Sequence, residues 1–205
     1  MSESNTTPRP DPMRHIGEID GYAREDGRDM PAPGGILFAG SSSVRLWDVK
    51  AGFPDLPVIN RGFGGSVYND VVHFFDRVVT PYKPGTVVLY SGDNDAACGL
   101  LPEEVFHDFR TVVEKVFAEL PDARVICMST KPSIARWNLD EPIRRFNVMM
   151  ESFTRSDERL RYVDVYHPML GPDNQPRPQL YIEDGLHMTP AGYDVWNSVL
   201  RPYLA

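Results

Sequence analysis

Short apolar runs recur along the chain, each followed by a turn of glycine or small polar residues and then by apolar positions at helical spacing. The runs are Ile36–Ala39, Pro57–Asn60, Thr86–Tyr90, Arg124–Met128 and Arg161–Val165. They are short, do not alternate and are rich in Val, Ile or Leu, the pattern of parallel strands covered by helices on both faces. Between them the clearest helix runs from Pro102 to Leu120. Val105, Phe106, Phe109, Val112, Val113, Val116, Phe117 and Leu120 form a single stripe there. Pro102 followed by Glu103 and Glu104 suits a helix start. Weaker patterns predict helices over Val71–Val79, Pro142–Phe153 and Thr189–Leu200, the last opened by Thr189 as N-cap and Pro190 in the first turn. A short helix over His15–Asp26 is weakened by Gly17 and Gly21. Strands alternating with helices imply right-handed crossovers and a three-layer α/β/α domain. No internal repeat or interdomain linker interrupts residues 14–205. Residues 1–13, with Pro8, Pro10 and Pro12 among polar residues, read as a flexible tail.

Composition narrows the partners. The 205 residues carry a net charge of −8, which disfavours nucleic acid and anionic lipid surfaces, since both require a basic face. No apolar stretch has the length of a secretory signal or a membrane span. The two cysteines, Cys98 and Cys127, suggest no disulfide framework; Cys127 reads as a buried hydrophobe and Cys98 as partly exposed. A cytoplasmic location is the expectation. The 16 glycines and 19 prolines predict many turns.

In a parallel α/β fold, ligands bind beyond the C-terminal ends of the strands, so chemistry is sought in the turns that follow the runs. After the first comes Gly40-Ser41-Ser42-Ser43. A serine there is presented near free backbone N–H groups, although serine is also a common N-cap. After the second comes Asn60-Arg61-Gly62-Phe63-Gly64-Gly65-Ser66, which either points a backbone N–H into a site, best at Gly65, or is only a tight turn. After the third comes Ser91-Gly92-Asp93-Asn94-Asp95. The Asn94 amide could donate to an oxyanion, the residues could form an Asx turn, or Asp93 and Asp95 could ligate a hard metal. Near the end, Asp184 and His187 lie three apart around a turn, where a carboxylate can orient an imidazole or make an ordinary surface pair. No P-loop lysine, dinucleotide fingerprint or Gly-x-Ser-x-Gly elbow is present. Together the turns supply a nucleophile, a base, an orienting carboxylate and oxyanion donors, an inventory for acyl transfer.

In this order, the blocks Gly40-Ser41-Ser42, Asn60 to Gly65, Gly92-Asp93-Asn94-Asp95 and Asp184 to His187 resemble the GDSL-like acylhydrolases of the SGNH hydrolase superfamily. The similarity covers roughly Ile36 to Leu200 and implies a flavodoxin-like sheet of five parallel strands between helices. It also implies Ser42 as nucleophile and, with its own N–H, oxyanion donor. Gly65 and Asn94 would be the other donors, His187 the base and Asp184 its orienter. The chain departs from the family's name motif by carrying Ser41 and Ser43 around Ser42, which leaves either neighbour conceivable as nucleophile.

The expected chemistry is hydrolysis of a small carboxylic ester through an acyl-enzyme, with no cofactor and no metal. The alternative is a non-catalytic small-molecule binder on the same fold. Acetylated carbohydrates, lysophospholipids and thioesters all stay open as substrates. The proline-rich segment His167–Leu180 and the segment Lys131–Trp137 are candidate pocket walls; Arg136 and Trp137 either contact substrate or serve structure.

Overall fold

The five apolar runs form five strands of one all-parallel sheet in the order β2-β1-β3-β4-β5, in a computed structural model that describes residues 7–204. The strands are β1 (Ile36–Gly40), β2 (Val58–Gly62), β3 (Thr86–Tyr90), β4 (Arg124–Met128) and β5 (Leu160–Val163). Both β1 and β3 are buried along their whole length, as continuous apolar runs require, whereas β5 at the sheet edge exposes Arg161.

Alternate side chains along each strand enter opposite cores. Leu37, Ala39, Val87, Leu89, Val125 and Cys127 join the core under α1 (Ile16–Asp26), with later helices of the same layer completing it. Ile36, Phe38, Val88, Tyr90, Ile126 and Met128 join the core under α2 (Ser42–Arg45) and α3 (Val49–Gly52). The first layer continues with α4 (Tyr68–His73) and α5 (Phe75–Val78), while α6 (Asp93–Ala97) caps the end of β3. It is completed by α7 (Pro102–Glu119) and α8 (Asp140–Thr154); α9 (Pro190–Leu200) closes the second layer. The three-layer α/β/α expectation holds. Cys127 is buried, which pushes its thiol pKa up, and Cys98 is exposed.

Helix boundaries differ from the spacing where turns intervene. The predicted helix over Val71–Val79 is two short helices broken at Phe74 and begins earlier, at Tyr68. A carboxylate in the first turn reaches back to the N-cap N–H in three helices: Asp70 to Val67 at 2.9 Å, Asp95 to Gly92 at 3.0 Å and Glu104 to Leu101 at 2.9 Å. These contacts satisfy donors that would otherwise be orphaned at a helix start.

The stretch read as a flexible tail is anchored where it is described. Arg9 binds Asp108 of α7 through two hydrogen bonds of 2.9 and 3.2 Å, and the Thr7 N–H donates to Glu104 at 3.0 Å. Residues 1–6 of that expected tail lie outside the described residues. Among the described residues, no helix is long and apolar enough to cross a membrane.

Candidate active site

The sheet order places a switch point between β1 and its neighbour β3, because the chain leaves β1 toward one edge and β3 toward the other. A crevice opens beyond the strand ends at such a point. The serine turn follows β1 and the Asn94 turn follows β3, so both rise from this place.

Gly40 ends β1 with φ +141°, and a Cβ there would lie 1.7 Å from the Tyr90 carbonyl oxygen. Glycine is required, and the chain turns sharply into α2. Ser41 and Ser43 turn inward and are buried, while Ser42 at the first position of α2 is half-buried. The Ser42 Oγ lies 3.0 Å from His187 Nε2. Of the three consecutive serines, Ser42 is the one that meets the imidazole. Asn60 supports the turn from behind by donating to the Val44 and Trp47 carbonyls at 2.7 and 3.0 Å.

The carboxylate and imidazole come from the turn before α9. Asp184 Oδ2 lies 2.6 Å from His187 Nδ1, and its other oxygen accepts the N–H groups of Leu186 and His187 at 2.8 and 2.9 Å. Partial desolvation opposes ionisation of Asp184, but the His187 side chain and these backbone donors outweigh it and hold the pKa at about 2. An ionised Asp184 fixes the Nδ1–H tautomer, leaving Nε2 free to accept the Ser42 proton. The turn is braced by Ile182 N–H donating to the His187 carbonyl at 2.9 Å and by Thr189, which caps α9. Part of the proline-rich segment does this bracing: the Thr189 hydroxyl donates to the Gln179 carbonyl at 3.0 Å.

Neither the Ser42 nor the Gly65 N–H has an intramolecular acceptor among the described residues. Gly65 adopts φ +74° with open space where a Cβ would be, a left-handed conformation that side chains disfavour. Asn94 is buried, and its Nδ2 donates one hydrogen to the Ser66 carbonyl at 3.0 Å. The other amide hydrogen is uncommitted.

The glycine and asparagine turns are fastened together by residues the sequence reading did not assign this task. Asp95, wholly buried, accepts from the Tyr68 N–H at 2.9 Å, the Gly92 N–H at 3.0 Å and the Ser91 hydroxyl at 3.2 Å. Desolvation pushes its pKa up to about 7 despite these donors. Asp93 is flanked by Lys131 and Arg136, each 3.5 Å from Oδ2. The carboxylates considered as metal ligands are therefore committed to structure, and among the described residues no group of three or more His, Cys, Asp or Glu side chains could hold a metal ion. The Lys131 ammonium is wholly buried without a hydrogen-bond partner, and burial lowers its pKa although Asp93 opposes the shift. The Lys131–Trp137 segment does border the site. Ala135 N–H donates to the Gly185 carbonyl at 3.1 Å, and Arg136 Nη1 donates to Asn94 Oδ1 at 3.0 Å. A first-turn carboxylate after glycine is a capping signal, so the role of Asp95 was available in the sequence; the Lys131 and Arg136 contacts cross between turns and carried no local signal.

Comparison with solved structures finds the same architecture. A GDSL-like lipase from Bacteroides thetaiotaomicron is 22% identical, with a TM-score of 0.79 over 92% of this chain and 98% of that one. An acylhydrolase, so assigned provisionally, from Bacteroides fragilis is 26% identical, with a TM-score of 0.77 over 90% and 94%. An acetyl-xylooligosaccharide esterase variant from Geobacillus is 16% identical, with a TM-score of 0.65 over 83% and 94%. No curated protein matches the sequence. Residues 39–195, which include all four turns, match the model of the GDSL-like Lipase/Acylhydrolase family, and the chain belongs to that family.

Proposed function

We propose that the protein is a serine esterase that cleaves small carboxylic esters through an acyl-enzyme. The observation carrying this reading is the continuous chain from Ser42 through His187 to Asp184, with contacts of 3.0 and 2.6 Å. In the first step His187 Nε2 takes the Ser42 proton as Oγ attacks the carbonyl carbon. The oxyanion is held by the Ser42 and Gly65 N–H groups and the free hydrogen of the Asn94 amide. The tetrahedral intermediate collapses, the imidazolium gives its proton to the leaving alcohol, and Ser42 is left acylated. His187 then takes a proton from water as the water attacks the acyl carbon, and when the second tetrahedral intermediate collapses the imidazolium returns that proton to Ser42 Oγ and the acid leaves.

Half-buried Ser42 and His187 beside an exposed Asp184 favour an ester that reaches the site from water. The name of the Geobacillus neighbour makes an acetyl ester a natural first substrate to try. A panel of p-nitrophenyl esters from acetyl to long acyl, with Ser42→Ala as control, tests the proposal. The expected result is turnover of short acyl esters by wild type and none above background by the variant. Equal turnover by the two would contradict it, and absence of turnover on every ester would favour a binder on the same fold.

A further inference from the structure

The guanidinium of Arg136 reaches from the β4 turn across to the end of β3, where its Nη1 lies 3.0 Å from Asn94 Oδ1. It is held from the other side by Asp93, whose Oδ2 lies 3.5 Å away and also faces the buried Lys131 ammonium at 3.5 Å. An asparagine amide can sit in either of two orientations, and here the two neighbours select one. The Ser66 carbonyl can only accept and Arg136 can only donate. Reversing the amide would set Oδ1 against the carbonyl oxygen and Nδ2 against the guanidinium, so both contacts would become repulsive. With Asn94 in the observed orientation, one Nδ2 hydrogen is consumed by Ser66 and the second remains for a reacting oxygen. A cation on Oδ1 also draws electron density from the amide nitrogen and makes that second hydrogen a stronger donor.

We propose that Arg136 is a positioning residue for ester hydrolysis: by donating to Asn94 Oδ1 it holds the amide with its free N–H toward the substrate oxyanion and strengthens that donor. Arg136 can act this way only if Asn94 is the oxyanion donor of the preceding section. It touches no reacting atom, so its effect belongs in kcat rather than in KM. Its loss costs less than loss of the donor itself, whose removal typically lowers turnover about 100- to 1,000-fold.

The test is a double-mutant cycle on p-nitrophenyl acetate hydrolysis with Arg136→Ala, Asn94→Ala and the double variant. Arg136→Ala is expected to lower kcat about tenfold with KM within about twofold. In the Asn94→Ala background the same change is expected to cost less than about twofold, because there is no amide left to orient. Arg136→Lys, which keeps a charged donor, should recover part of kcat; Arg136→Gln carries the same cycle if the alanine variant does not fold. Unchanged kcat in Arg136→Ala, a rise in KM alone, or the same loss in both backgrounds would overturn the role of Arg136. Unchanged kcat in Asn94→Ala would instead overturn the oxyanion reading on which it rests.

Discussion

At the scale of residues, each proposed role has a distinct kinetic signature. Asn94→Ala removes a donor used only when the carbonyl oxygen gains charge. Its kcat on p-nitrophenyl acetate should fall about 100- to 1,000-fold with little change in KM. Asp184→Asn leaves the 2.6 Å contact to His187 sterically possible but no longer favours the tautomer with the proton on Nδ1. A loss of kcat on the order of 10⁴-fold is expected, with the melting temperature close to wild type because Asp184 is exposed. Gly65→Ala meets no neighbour within 4 Å, so any effect comes from forcing a side chain into φ +74° at about 1–2 kcal/mol. Gly65 and Asn94 were legible in the sequence because each sits in the turn after a strand, where fold geometry and residue chemistry coincide, and Asp184 because it stands three residues before His187 in the turn that leads into α9. Arg136 and Lys131 were visible only as members of a loop. Their partners, Asn94 and Asp93, are 42 and 38 positions away, and no local pattern encodes such a contact.

Elements explain why the turns hold their shape. The strands and α7 were readable because burial on both faces, or on one stripe, imposes a pattern on every residue. Phe109 on α7 is wholly buried and packs edge-on against Tyr68, Phe146 and Phe153. Phe109→Ala should cost about 3–5 kcal/mol in urea unfolding, and with it the helix layer beneath the Asn94 turn. The short helices α2, α3 and α6 were not readable as elements, since four or five residues carry too little periodicity and are set by the turns around them. The N-terminal segment lies almost wholly outside the residues matched by the family model, yet it clasps the glycine turn. Glu18 accepts from the Gly64 N–H at 3.1 Å, and Tyr22 donates to the Gly62 carbonyl. His15 is buried against Phe63, with Asp70, Arg14 and Glu18 as its charged neighbours. Desolvation lowers the His15 pKa, although Asp70 opposes it. As pH falls below about 6.5 the unfolded chain therefore binds a proton that the folded chain resists, and stability is lost. His15→Gln should flatten the fall in urea stability on acidification through this range; an unchanged slope would remove His15 as its source.

For the whole molecule, the sheet order brings the turns after β1, β2 and β3 to one edge, and the turn before α9 meets them there through the His187–Ser42 contact. Asp184 keeps its charge down to a pKa of about 2, so acidification from about pH 8 to about pH 4 should leave this orienting carboxylate ionised. The Asp184 carboxyl resonance followed by NMR should then stay in its ionised position across that range; protonation of Asp184 above about pH 4 would contradict this. The central claim, that Ser42 is an activated nucleophile, is tested most directly by reacting the folded protein with a fluorophosphonate and mapping the adduct by mass spectrometry. The account predicts one adduct per chain, on Ser42, formed in wild type and absent in Ser42→Ala. An adduct on another residue, or none on the folded protein, would contradict it.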